Sequence, residues 1–107
     1  MSGIELIQWK RTRQELQGYT GAHDDQYTMG ELANAAAFLA VTLTGINPDD
    51  KPSFREPPFA NLWPAAWEFI EPDDRIEELA HAGALIVAEI ERLQRLQAKQ
   101  AASKGSP

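Results

Sequence analysis

Six of the seven prolines stand between residues 48 and 72, as Pro48, Pro52, Pro57, Pro58, Pro64 and Pro72. A proline inside a helix removes a hydrogen bond and clashes with the preceding turn. No regular helix is therefore expected across the middle of this chain, and the flanks must carry the regular structure. Phe54, Phe59, Trp63, Trp67 and Phe69 are spread through the same stretch. Disordered linkers are poor in aromatics, and structureless loops of this length are uncommon in a compact domain unless they serve a function. Residues 46–72 are expected to form an ordered, proline-stiffened arm lying across a surface. A short helical turn is expected at 64–68, with Pro64 at its first position.

Both flanks show helical periodicity. Over residues 4–17, Ile4, Ile7 and Leu16 fall near one face, with Leu6 and Trp9 beside it. Lys10, Arg11, Arg13 and Gln14 fill the polar side, and Gly18 stands where a left-handed residue would close the helix. A second helix is expected over 29–44. Thr28 and Glu31 have the spacing of a capping box, and Gly45 ends the run. Leu32, Ala36, Leu39 and Leu43 line one face, with Met29, Ala35 and Phe38 beside it. The alanines at 33, 35, 36, 37 and 40 permit close helix approach.

The last helix is expected to start after Pro72, with Asp73 or Asp74 as its cap and Glu77 and Glu78 at the positive end of its dipole. Ile76, Leu79, Gly83, Ile86, Ile90 and Leu93 mark its apolar stripe, broadened by Ala80, Ala84, Leu85 and Val87. Glu91 and Arg95, four apart, form a surface pair. Glu89 either is buried against the first turn or points to water beside Arg92. The helix is expected to fade after Leu96. The expectation is an all-α domain over residues 1–97. It has three main helices, the second and third antiparallel, and a long Pro/aromatic-rich connecting arm; residues 98–107 form a flexible C-terminal tail.

A chain of 107 residues buries only about two thirds of its unfolded surface, so a homo-oligomeric helical bundle is expected. The net charge of −6 argues against a nucleic-acid partner, which requires a basic face. No apolar run approaches the roughly 20 residues of a membrane span, and residues 1–5 lack a signal pattern. No membrane partner and a cytoplasmic location are expected. Without cysteine, disulfides and thiolate metal sites are excluded.

Chemistry-bearing groups concentrate in residues 19–32, where two tyrosines, one histidine and three carboxylates share one corner. His23, Asp24, Asp25 and Glu31 either form a ligand or divalent-metal site, with Mg²⁺ as the cation carboxylates would hold, or serve as caps braced by His23. Arg11 and Arg13 with Tyr19 and Tyr27 either form an anion-and-ring site or make a solvated helix face with two half-buried tyrosines. Trp63 and Trp67, one turn apart, either lid a pocket or cover the seam between helices. Glu78 and His81 have the Glu-x-x-His spacing of di-iron bundles, but the second such pair is missing. No nucleophile elbow, phosphate loop, dinucleotide fingerprint or zinc pattern occurs, and no catalytic residue is assigned. The candidate ligand-binding residues are Arg11, Tyr19, His23, Asp24, Asp25, Tyr27, Glu31 and Trp63.

His23-Asp24-Asp25, Gly30-Glu31-Leu32, Ala35-Ala36, Trp63-Pro64 and the run from Ala82 through Leu93 together resemble a family of small proteins common in tailed phages and prophages. The chain departs from that pattern at Ala65, where a second tryptophan often follows, and at His81, where lysine is common. Most members of that family carry no assigned function, so the resemblance itself implies a phage origin and little chemistry. Small acidic phage proteins often counter host defence, and by analogy with one class of them the expectation is an anti-defence protein: a compact homo-oligomer that sequesters a nucleotide-like immune signal without cleaving it, in the host cytoplasm. Two alternatives stand beside it. One is an all-α, Mg²⁺-dependent nucleotide pyrophosphohydrolase similar to the MazG group. Its paired Glu-x-x-Glu and Glu-x-x-Asp helices are not clearly present here, since Glu31 and Asn34 occupy one position pair and Glu71 and Asp74 straddle a proline. The other is a protein-binding inhibitor of a host factor.

Overall fold

Ser2 starts the first helix. Its hydroxyl accepts from the Glu5 amide at 3.2 Å and the Glu5 carboxylate accepts from the Ser2 amide at 3.0 Å, a reciprocal box that satisfies two orphan donors. Helix α1 (Gly3–Leu16) follows. It closes at Gly18, whose φ of +102° is a conformation that side chains with a Cβ avoid. The Tyr19 amide then reaches the Gln14 carbonyl and the Gly18 amide the Glu15 carbonyl, the paired bonds of a Schellman ending.

The structure is a computed structural model and describes residues 1–41, 59–69 and 72–104. The corner after Gly18 contains a one-turn helix, α2 (Gly21–Asp24), where a turn was expected. Helix α3 (Glu31–Val41) begins two residues later than the sequence suggests. Thr28 is not its cap. The Gly30 carbonyl takes the first helical bond from the Asn34 amide, and Glu31, now at the first helical position, accepts from the Met29 amide at 2.6 Å. The glutamate cannot reach back to Thr28 from there, and Gly30 relieves the turn. The expected end of this helix at Gly45, and Leu43 on its face, lie outside the described residues.

Helix α4 (Arg75–Lys104) spans 30 residues, about 45 Å at 1.5 Å per residue. Asp74 caps it, accepting from the Glu77 amide at 2.7 Å. At the start of α4, Arg75 donates to the carbonyls of Leu39 and Ala40 near the end of α3. Toward the far end of α4, Arg95 reaches the corner before α3. The two helices therefore run antiparallel. Helix α4 continues to Lys104, past the expected end at Leu96, and residues 97–103 are exposed, so the described part of the stretch read as a tail, 98–104, is helical; the rest of it lies outside the described residues.

The core lies between α3 and α4. Leu32, Ala35, Ala36, Phe38 and Leu39 meet Ala82, Leu85 and Ala88, a seam of alanines that lets the backbones approach. This corrects the expected core stripe of α4. Ile76, Leu79, Ile86, Ile90 and Leu93 are 43–68% exposed, while Ala80, Ala84 and Leu85, read as its margin, are buried together with Ala82 and Ala88. Likewise Ile4 and Leu16 of α1 and Met29 are exposed. Ile7 alone of the expected α1 face fits tightly, packing so closely on Gly83 that a Cβ there would lie 2.6 Å from its Cδ1.

The described part of the arm opens with a 3₁₀ turn (Phe59–Leu62). The expected helical turn at Pro64 is a single bend, closed by the Trp67 amide on the Pro64 carbonyl at 3.0 Å. Trp63, Trp67 and Phe69 then cover the core edge. Phe38 meets Trp63 and Phe69 at ring distances of 5.7 and 5.6 Å. Pro48, Pro52, Phe54, Pro57 and Pro58 lie outside the described residues. Among the described residues there is no strand, and no helix is long and apolar enough to cross a membrane.

Candidate functional site

Arg11, on the polar side of α1, is only 3% exposed, and Asp24, at the end of α2, is 2% exposed. Arg11 Nη2 donates to Asp24 Oδ2 at 2.9 Å. The rest of the guanidinium is also engaged, by the Gln14 side chain, the Tyr19 carbonyl and Glu91. Charges leave water only when they are paired and hydrogen-bonded, so this pair fastens α1 to the corner that the Schellman ending creates. Glu91 is thereby taken by Arg11, and Arg95 is taken by Asp25. The expected Glu91–Arg95 surface pair is therefore replaced by two bonds between elements.

Asp25 accepts from Arg95 Nε at 3.0 Å and from Nη2 at 2.9 Å. That fork holds the Asp25 carboxyl below its ordinary range. Glu31 is held by the Met29 amide. His23 stands edge-on between Tyr19 and Tyr27, at ring distances of 5.0 and 5.4 Å. Its Nδ1 is buried 3.5 Å from Asp24 Oδ1, without a hydrogen bond among the described residues. All three carboxylates of the corner therefore serve the fold. Among the described residues no group of three or more metal-ligating side chains converges, so the corner does not assemble the donor set a Mg²⁺ ion requires.

The edge-to-face ladder continues. Tyr27 meets Trp67 at 5.0 Å, and Trp67 meets Trp63 at 5.7 Å. The Trp63 indole donates to the Trp67 carbonyl at 3.3 Å. Tyr27, Trp67 and Trp63 line a cleft of about 600 Å³. Its lining also takes in Lys10, Arg13, Gln14 and Gln17 from the polar side of α1, the apolar Leu32, Leu39, Leu85 and Ala88, and the carboxylates Glu68 and Glu77. Of the eight sequence candidates, Arg11, Tyr19, Asp24, Tyr27 and Trp63 line this cleft, whereas His23, Asp25 and Glu31 are not part of its lining. Tyr27 is desolvated there and stands near Asp24, which together push its phenol pKa up.

Trp67, singled out with Trp63 by their four-residue spacing, also lines the cleft, although it was not among the eight candidates. Sequence reasoning missed Lys10 and His81 as lining residues, because they meet only when α1 crosses α4. Lys10 donates to Glu77 at 2.8 Å and thereby holds that carboxyl below its usual range. His81 beside them has its pKa lowered, first by burial and then by the Lys10 charge. Its former sequence partner Glu78 is fully buried and bonded to Arg75, so the Glu-x-x-His spacing assembles no site. Glu89, left open by the sequence, is half-buried and pairs with Arg92. Arg13 has no carboxylate partner among the described residues and rests on the Trp9 ring at 4.8 Å.

No family model, curated protein or solved structure matches the chain.

Proposed function

We propose that the cleft binds a small, planar, anionic ligand of nucleotide type and holds it intact. The observation that supports this reading is the presence of rings and a cation in the lining of one cleft of about 600 Å³: Tyr27, Trp63 and Trp67 offer ring surface and Arg13 positive charge, while Lys10 and Arg11 line it already paired with Glu77 and Asp24. Ligand clefts run from roughly 300 to 1,000 Å³, and aromatic side chains stack on any base without reading its sequence. In this reading Arg13 meets the phosphate, since Lys10 is already paired with Glu77. Arg11 is likewise committed, its donors being already used. Sequestration is favoured over metal-dependent hydrolysis because Asp24, Asp25 and Glu31 are each tied to a fold partner. With the phage-family resemblance, the reading becomes an anti-defence protein that retains a nucleotide signal in the host cytoplasm, acting as a homo-oligomer. A second reading, inhibition of a host protein, is favoured by one observation only, the bare apolar stripe of α4.

The test is tryptophan fluorescence during titration with linear and cyclic nucleotides. Binding is expected to quench emission. Trp67→Leu is expected to weaken affinity roughly 10-fold or more, the loss of one stacking surface, and Asp25→Asn to leave affinity unchanged. Quenching that survives Trp67→Leu but is lost in Asp25→Asn would move the ligand away from the cleft.

A further inference from the structure

Histidine aside, the acidic and basic side chains that line the cleft are Lys10, Arg11, Arg13, Asp24, Glu68 and Glu77. Most of this charge cancels within the chain. Lys10 pairs with Glu77 at 2.8 Å and Arg11 with Asp24 at 2.9 Å. Arg13 and Glu68 are left over, and they are of opposite sign. Arg13 rests on the Trp9 ring at 4.8 Å. Glu68 is exposed and has neither an ion pair nor a hydrogen bond among the described residues. A ligand that satisfied Arg13 alone would bring its negative charge into a cleft that also holds an uncompensated carboxylate. The ligand that suits the whole lining is anionic in one part and presents N–H donors in another.

The backbone fixes the place from which Glu68 acts. The Trp67 amide closes the bend on the Pro64 carbonyl at 3.0 Å. The Trp67 carbonyl, which belongs to the peptide joining Trp67 to Glu68, accepts from the Trp63 indole at 3.3 Å. The Trp67 ring is itself held edge-on by Tyr27 and Trp63. A free carboxylate is thus the chain neighbour of a ring that lines the same cleft.

We propose that Glu68 selects the base, and that the ligand is a guanine nucleotide whose ring N–H and amino group donate to the Glu68 carboxylate while Arg13 takes its phosphate. The inference rests on the reading that the cleft binds a nucleotide. An ionised carboxylate only accepts, through two oxygens side by side. Two adjacent N–H donors satisfy both at once, and two-pronged bonds to a charged group are the strong ones. Among the common bases only guanine presents such a pair on one edge. Adenine and cytosine set a ring acceptor beside their amino group, and uracil flanks its single N–H with two carbonyls. Against a carboxylate each of these places lone pair against lone pair, so the group that attracts guanine also disfavours its competitors.

The full chain is titrated with GMP, IMP and AMP, which carry the same ribose and phosphate, and affinity is read from the midpoint of tryptophan quenching. GMP is expected to bind about 10-fold tighter than AMP or better, as hydrogen bonds to a charged group allow. IMP keeps the ring N–H and lacks the amino group, so it is expected to fall between them. Glu68→Gln, at an exposed position, is expected to keep the helical circular dichroism. It is expected to bring GMP close to AMP without weakening AMP. Equal binding of GMP and AMP to the wild-type chain would overturn this inference and leave nucleotide binding standing. A preference for GMP that survives Glu68→Gln would overturn the role of Glu68 and make it a solvated charge of the arm. Binding of none of the three would overturn both the inference and the reading on which it rests.

Discussion

The Arg11–Asp24 pair is the residue on which the corner depends, and its burial decides what its removal does. Breaking a buried, hydrogen-bonded ion pair leaves a charge without water or partner, at a cost of roughly 3–5 kcal/mol. Asp24→Ala is therefore expected to lower the urea midpoint sharply, read by circular dichroism, with any loss of ligand binding following from the loss of fold. An unchanged midpoint would show that Glu91 and Gln14 suffice to hold Arg11. His81 gives a pH-dependent counterpart. Its folded pKa lies below the ordinary 6.5, because burial and Lys10 disfavour the charged ring. A group with a depressed folded pKa contributes stability that is fully present above its unfolded value. That contribution is lost as pH falls from 6.5 through the folded value. The midpoint of the wild-type chain should decline over that window, and His81→Gln should flatten the decline.

At the scale of elements, close approach rather than side-chain bulk organises the packing. Gly83 receives Ile7, and the α3–α4 seam is built from Ala35, Ala36, Ala82 and Ala88. Gly83→Ala places a methyl 2.6 Å from Ile7 Cδ1. Its expected effect is a loss of about 1–3 kcal/mol from overpacking, seen in thermal melting as separation of α1 from α4. Restoring stability with Ile7→Val in the same chain would locate the clash. The same feature explains what the sequence could tell and what it could not. Helix positions were legible from local signals: the Gly18 ending, the Asp74 cap and the Leu32–Leu39 face depend on residues close in the chain. The core face of α4 was not. Hydrophobic periodicity weights isoleucine and leucine above alanine, and the stripe through Ile86 and Ile90 therefore outranked the alanine face that α3 covers. The start of α3 was misplaced because Thr28 and Glu31 have the spacing of a cap, and only the geometry of Gly30 shows which carbonyl takes the first bond.

For the whole molecule, the candidate site was partly legible for a related reason. The aromatic half of the cleft could be seen in Tyr19, Tyr27 and Trp63. The carboxylates drew attention as chemistry, yet their partners Arg11 and Arg95 stand 13 and 70 residues away, beyond the reach of any local pattern. The assembled chain has two distinct faces on α4. Its alanine and leucine side forms the core and lines the cleft, and its isoleucine and leucine side stays bare. A ligand held by Arg13 and the ring residues would tie α1 to the arm. Saturation is therefore expected to raise the melting temperature, as mass action requires of any molecule that binds only the folded state.

The measurement that bears most directly on the account is recovery of the ligand itself. The purified chain is incubated with linear and cyclic nucleotides, with and without Mg²⁺. The bound fraction is separated, released by heating and weighed by mass spectrometry. The account predicts a nucleotide-type molecule of unchanged mass, bound equally well without Mg²⁺ and lost in Trp67→Leu. A cleaved product that requires Mg²⁺, or a chain that retains none of the panel, would contradict it.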